Sequence, residues 1–429
     1  MKWRNQLLAL FCLLGFAGFG VLYFQHWVVQ KPFGIILFIG EGLSPSRLAA
    51  TRVYAGGADS HLALDSMASS ALLTNYSNDF AAPDQAAAAT ALATGTKTNN
   101  RAIGIDAKGK TIRNIIELAR ESGRACGLVT NTSLTDATSA AFYAHTSNGD
   151  DRENIALEFV KASRLDIALG GGAADFLPLS KQGHRHDERD LLLEMRRNGY
   201  DIVRSKAELE GIPRWRRPKL FGLFSNSEFS YAGQVATGRE QPSLADMVRR
   251  AIELLQFNPK GYVLVVDAGL MRKAAQENNG ERTLNETIEL DRAVALARSY
   301  AGNKSTIFLT GDSAIGGLTL NGFPFRRDSG VAILGLNSSG YPWLTWATGP
   351  HGLKRYGAAD MPGSAAQDQH PLAQQGAERE AASEPAAIFS QSASNAVEDV
   401  VLFATGPGTQ NVRGVMDSTI VFRIIRDNL

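Results

Sequence analysis

The sequence predicts an α/β fold with a largely parallel central sheet, helices on both faces, and one apolar helix ahead of it. Three observations carry that expectation. Short, continuously apolar runs such as residues 33–39 recur along the chain, as strands buried on both faces do. Amphipathic stretches alternate with them, and strand–helix–strand repeats set neighbouring strands parallel. Carboxylates stand at or just beyond four strand ends, where open α/β sheets hold their ligands.

With 429 residues and 44% hydrophobic content, the chain can bury a large core. A formal net charge of +1 without long basic runs argues against nucleic acid as a partner. The two cysteines, Cys12 and Cys126, offer no thiolate metal site, and no bridge between them is expected.

Residues 6–24 are uncharged and apolar, with Lys2 and Arg4 before them and Trp27 after them. About 20 such residues cross a bilayer. Basic residues stay cytoplasmic, so residues 1–5 read as a cytoplasmic tail, 6–24 as a transmembrane anchor and 25–32 as a tether. Residues 33–429 form the main domain, exported to the periplasm or outside the cell. A signal peptide cleaved near Gly18-Phe19-Gly20 is the competing reading. Both readings export the domain.

The first strand, 33–39, ends at Gly40 and hands over to Glu41. Residues 83–95 read as a helix: Asp84 caps it, alanines propagate it and Gly95 stops it. Its N-terminus presents free amides and a positive dipole end, the geometry of an anion site. Residues 111–122 place Ile112, Ile115, Ile116 and Ala119 on one helical face. A strand over 125–130 follows, then a loop with Asp136 and Thr138. Another strand, 165–169, closes on Gly170-Gly171-Gly172, read as a tight turn. Ser243 and Asp246 fit a capping box for a helix over 243–257. A strand over 262–266 ends at Asp267. Leu290, Ala293, Val294 and Ala297 mark a further helix, followed by a strand over 305–310 and then Asp312. The last strand expected is 400–404. Residues 351–395, rich in Ala, Gln, Ser, Glu and Pro, read as a flexible insertion. The Arg-Trp-Arg-Arg cluster at 214–217 reads as a solvated loop. His184 and His186 sit among arginines and are given no ligand role.

The segment from Asp84 to Thr90, with Gly95, Lys97, Thr98, Asn100 and 102–106, resembles the nucleophile segment of the alkaline phosphatase family. Residues 38–42, Asp136-Ala137-Thr138, 169–172, 220–224, 258–261 and Gly406-Pro407 extend the resemblance from about residue 33 to 429. It implies the alkaline phosphatase-like sandwich, two zinc ions, one magnesium ion and a serine that attacks phosphorus. The serine position holds Gln85, and an amide has no ionisable oxygen to attack with. By position, Glu41, Asp136, Thr138 and Asp267 resemble the magnesium-site residues, and Asp312 an acid at the zinc sites. Zinc is not expected, because Ser313, Arg272, Gln276 and Asn395 replace its ligands and no histidine remains. The phosphate-clamping arginine is replaced by Gly149, with Arg152 three positions later. Oxygen ligands of this kind suit Mg²⁺ or Ca²⁺. Two carboxylates about 4 Å apart repel by about 4 kcal/mol at an effective dielectric near 20, so losing metals calls for another cation. Arg272 is the candidate.

The expectation is a membrane-anchored, exported pseudoenzyme that has lost phosphomonoesterase chemistry and binds or scaffolds an unidentified protein partner around a relict magnesium-type site. A hydrolase with a rearranged magnesium site is the alternative, and a phosphate or phosphoester sensor a weaker one. The resemblance also implies a homodimer.

Overall fold

The computed structural model describes residues 2–23, 33–162, 165–213, 219–234, 241–322, 334–336, 342–353 and 384–429. The strand Gly34–Gly40 is buried throughout and divides its side chains between two cores. Ile35, Leu37 and Ile39 pack with the helices Gln85–Thr94 and Ile115–Glu121. Ile36 and Phe38 pack with Leu244–Leu255 and Gly280–Ala301 on the other face. A strand with no polar face and a period of two needs cover on both sides.

The main sheet has ten strands among the described residues. Their order is Arg413–Asp417, Ser69–Thr74, Val400–Thr405, Thr306–Gly311, Gly34–Gly40, Tyr262–Ala268, Ala125–Ser133, Ile167–Gly171, Lys219–Leu223 and Tyr200–Val203. Val400–Thr405 runs antiparallel to both neighbours; every other pair is parallel. Register places Asp267 opposite both Ile39 and Thr130, and Gly40 opposite Gly311. Glu41, Asp267 and Asp312 therefore leave one edge of the sheet side by side.

Several boundaries differ from the sequence expectation. The helix expected from 111 begins at Ile115, because Asn114 caps the Glu117 amide and Glu117 returns the bond. Gly170 and Gly171 lie within a strand; a Cβ on Gly171 would meet the Ser227 carbonyl at 2.1 Å. Only Gly172, at φ 83°, makes the turn. The strand over 400–404 is not the last: Arg413–Asp417 follows and forms a sheet edge, and its mostly exposed, partly polar sequence hid it. The insertion expected to reach 395 ends earlier, since Ala386–Phe389 pairs with Leu344–Gly349 and Asn395–Ala396 with Ala314–Ile315. Residues 354–383 and the 214–217 cluster lie outside the described residues.

Lys2–Tyr23 is helical. Among the described residues no helix is long and apolar enough to cross a membrane. The first turn of Lys2–Tyr23 carries the polar Arg4, Asn5 and Gln6, and the expected end at Phe24 and the tether lie outside the described residues.

Candidate functional site

Four buried carboxylates meet two buried guanidinium groups beyond the sheet's carboxyl edge. Glu41 follows the strand Gly34–Gly40 directly. Gly42, at φ 81°, comes next, and a Cβ there would stand 2.9 Å from the Arg47 guanidinium. Arg47 lies in the first turn of the helix Pro45–Gly56, which Ser44 caps. Asp136 caps the short helix Ala137–Ala140, accepting from the Ala137 amide at 2.9 Å. Ser139 on that helix and Thr130 donate to Asp267 Oδ2 at 2.9 and 3.0 Å.

Arg272, on the helix Leu270–Gln276, forks between two of the acids. Its Nε donates to Glu41 Oε2 and its Nη2 to Asp136 Oδ2 at 2.8 Å. Nη1 reaches Gln276 Oε1 at 3.4 Å. Lys273 Nζ stands 3.8 Å from Asp136 and 3.1 Å from Glu228. Arg47 Nη1 donates to the Glu41 carbonyl at 3.0 Å. Asp312 accepts from the Gly42 amide at 2.8 Å and from the Ser313 amide.

Charge explains the titration of these groups. Burial opposes ionisation of Asp136, but the charges of Arg272, Lys273 and Arg152 overcome it and hold the carboxyl down at about 2. Burial, then the charges of Glu41 and Asp136, push Asp267 well above the usual carboxylate range. Asp312 is pushed up to about 7 by burial and by Glu41. Burial works against the charge on Arg272, yet Asp136 and Glu41 raise its pKa above the usual value. Arg47 is lowered to about 10 by burial, against Asp312 and Glu398.

Seven buried atoms of this centre make no hydrogen bond: Glu41 Oε1, Thr138 Oγ1, Asp267 Oδ1, Asp312 Oδ2, Ser313 Oγ, and Arg47 Nε and Nη2. Beside it, Gln85 opens the helix Gln85–Thr94, and Asp84 caps that helix by accepting from the Ala87 amide at 2.8 Å. Gln85 Nε2 donates to Asn395 Oδ1 at 3.2 Å, and Asn395 Nδ2 to the Pro83 carbonyl. A cleft of about 170 Å³ opens here, lined by Gln85, Arg101, Thr135, Asp136, Arg152 and Arg272. Thr135 and Arg152 also reach the buried Asp175, which His184 Nδ1 meets at 2.8 Å.

The metals that the resemblance implies do not fit this arrangement. Among the described residues no three His, Cys, Asp or Glu side chains are grouped so as to hold a metal ion. His145 bonds Gly104 and Glu117, and His186 bonds Glu153, so neither supplies nitrogen here. Among the described residues zinc finds no group of soft or nitrogen donors here, and Arg272 stands between Glu41 and Asp136.

Structure brings Glu41, Asp136, Asp267, Asp312, Arg272 and Gln85 into one region; Thr138 lies on the Asp136 helix. Sequence reading passed over Arg47, Thr130, Ser139 and Lys273. Arg47 had left a signal: it adjoins Leu48 and precedes Thr51 by one turn, on the inward face of a helix starting at Pro45. Thr130 and Ser139 gave none, since their role depends on strand register.

The alkaline phosphatase family profile matches residues 34–429. The chain belongs to the alkaline phosphatase family. It is 33% identical over 335 residues to alkaline phosphatase H of Pseudomonas aeruginosa, covering 66% of this chain and 70% of that protein. It is 28% identical to the tissue-nonspecific alkaline phosphatase of Gallus gallus, over 93% of this chain and 85% of the relative. Among solved structures, the alkaline phosphatase of the Antarctic bacterium TAB5 shares the fold at a TM-score of 0.71 and 21% identity, covering 93% and 98% of the two chains. That of Thermus thermophilus shares it at 0.71 and 24%, covering 93% and 92%. A variant of the TAB5 enzyme, 22% identical to this chain, holds Mg in its M3 site. Phosphoester hydrolysis with bound metals is thus the chemistry of this chain's family.

Proposed function

We propose that this alkaline phosphatase family member is a membrane-anchored, exported pseudoenzyme that binds or scaffolds a protein partner and does not hydrolyse phosphomonoesters. Arg272 carries the reading. A permanently charged fork joins Glu41 and Asp136 where the family resemblance places metal ligands. Gln85 supports it, because its amide cannot attack phosphorus and is bonded to Asn395. Catalysts of phosphoryl transfer depend on preorganised cations facing the transferring group. Here the cation faces the protein's own acids.

A magnesium-dependent hydrolase, in which a metal-bound water replaces the serine, is the second reading. The unpartnered oxygens of Glu41, Thr138 and Asp267 favour it. The two separate in a p-nitrophenyl phosphate assay on the full chain in mild detergent, with Mg²⁺ or Zn²⁺ added and then chelated. We expect no turnover above background, and none from Gln85→Ser, because a serine alone restores neither metal nor charge. Chelator-sensitive turnover that disappears in Asp267→Ala would sink the pseudoenzyme.

Anchoring rests on the exposed Leu7, Leu8, Leu10, Phe11, Leu13 and Leu14 of the N-terminal helix, behind Lys2 and Arg4. The chain should remain in the membrane fraction after alkaline carbonate extraction; release into the supernatant would remove the anchor.

A further inference from the structure

We propose that Arg272 is a fixed plug, backed by Arg47, that excludes divalent cations from the space among Glu41, Asp136, Thr138 and Asp267, and that losing its side chain opens a site for a hard cation there. The inference rests on reading this centre as non-catalytic and names what keeps it so.

Three observations carry it. First, Arg272 uses one oxygen each of Glu41 and Asp136, so a cation seeking both acids meets a guanidinium already placed. Second, three oxygens beside Arg272 are left bare, while Asp136 Oδ1 and Asp267 Oδ2 have donors. Glu41 Oε1, Asp267 Oδ1 and the hydroxyl of Thr138 are all buried without a hydrogen-bond partner. Buried oxygens are normally satisfied, and two carboxylates with a hydroxyl are the donor set of magnesium or manganese rather than zinc. Third, Arg47 is 1% exposed, and its Nε and Nη2 donate to nothing. A guanidinium that leaves two donors bare in the interior contributes through its charge. That charge acts on Asp312, which faces Glu41, and on Glu398. Two guanidinium groups thus supply, by covalent attachment, positive charge that a bound ion would otherwise bring. An arginine cannot be chelated away or lose its proton at physiological pH.

The test uses the full chain in mild detergent, stripped with chelator and dialysed against Mn²⁺, with metal read by mass spectrometry and Tm followed through Mg²⁺ and Mn²⁺ titrations. Wild type should retain no stoichiometric Mn²⁺ and show no saturable Tm shift. Arg272→Gln and Arg272→Ala should each retain stoichiometric Mn²⁺ and gain a few degrees of Tm at saturation. Adding Thr138→Val or Asp267→Asn should abolish both gains. Arg272→Lys keeps a cation and covers the case in which the neutral variants fail to fold; it should remain metal-free.

Stoichiometric Mn²⁺ in wild type or in Arg272→Lys overturns the proposal. So does a folded Arg272→Gln, by far-UV circular dichroism, that retains none. Failure here is distinguishable from failure of the function. Metal in wild type without turnover sinks the plug and leaves the pseudoenzyme, whereas turnover in a metal-free wild type does the reverse.

Discussion

Arg250 and Arg272 are both buried arginines beside carboxylates, and their surroundings differ in one respect. Arg250 donates Nη1 to Glu253, Nε and Nη2 to the Leu209 carbonyl at 3.3 Å, and Nη2 also to the Ile212 carbonyl at 2.6 Å. Each of its nitrogens reaches an acceptor. Around Arg272, the centre leaves five oxygens and two Arg47 nitrogens bare. Leaving one buried polar group unsatisfied costs about 1–3 kcal/mol. The Arg250 network is built as stability requires, and the Arg272 centre is not.

The largest expected effect tests the two arginines directly. Arg272→Ala and Arg250→Ala should each destabilise by about 3–5 kcal/mol, because each strands buried carboxylate charge. Denaturant unfolding reads both. Removing the stranded acid then separates them: Arg272→Ala/Glu41→Gln should recover about 1–2 kcal/mol, while Arg250→Ala/Glu253→Gln should recover less, since the Leu209 and Ile212 carbonyls stay unpaired. Equal recovery would erase the distinction.

A smaller effect concerns Glu286, a buried acid outside the centre. It accepts from the Ala232 amide at 2.6 Å and from Asn131 Nδ2 at 3.2 Å, and burial pushes it up to about 7. Its folded pKa exceeds the unfolded one, so the folded state holds the proton more tightly. The contribution is fully present below the unfolded pKa and is lost as pH rises through about 7. Stability relative to Glu286→Gln should therefore fall on the order of 2 kcal/mol between acid and neutral pH, then level off. A flat difference would show that this acid is not held protonated.

The smallest effect has the opposite sign. Asp267→Asn removes an acid that repels Glu41 and Asp136, and should stabilise the chain by about 1 kcal/mol at pH 8. Destabilisation would mean that the Thr130 and Ser139 bonds to Asp267 outweigh the repulsion.

Strands buried on both faces were legible because a continuous apolar run of seven residues has few other structures open to it. Edge elements were less so: Arg413–Asp417 packs little of its surface and carries no apolar pattern. The helix at Ile115 began later than its apolar period suggested because Asn114 and Glu117 close a capping box, which outweighs periodicity. At the centre, the acids could be named from their places at strand ends. Of the partners of those acids, Arg272 could be named as the charge replacing a metal, whereas Arg47, Thr130 and Ser139 could not.

By itself the sequence determined the α/β layering, the acids at the carboxyl edge, and the amide at the nucleophile position, since these depend on local period and on the chemistry of single residues. Tertiary structure alone decided that Arg272 forks between Glu41 and Asp136, that Arg47 lies behind Glu41, and that Gln85 meets Asn395 across 310 residues. Such pairings are fixed by strand register and by how helices land on the sheet, and long-range geometry of that kind leaves no trace in local composition.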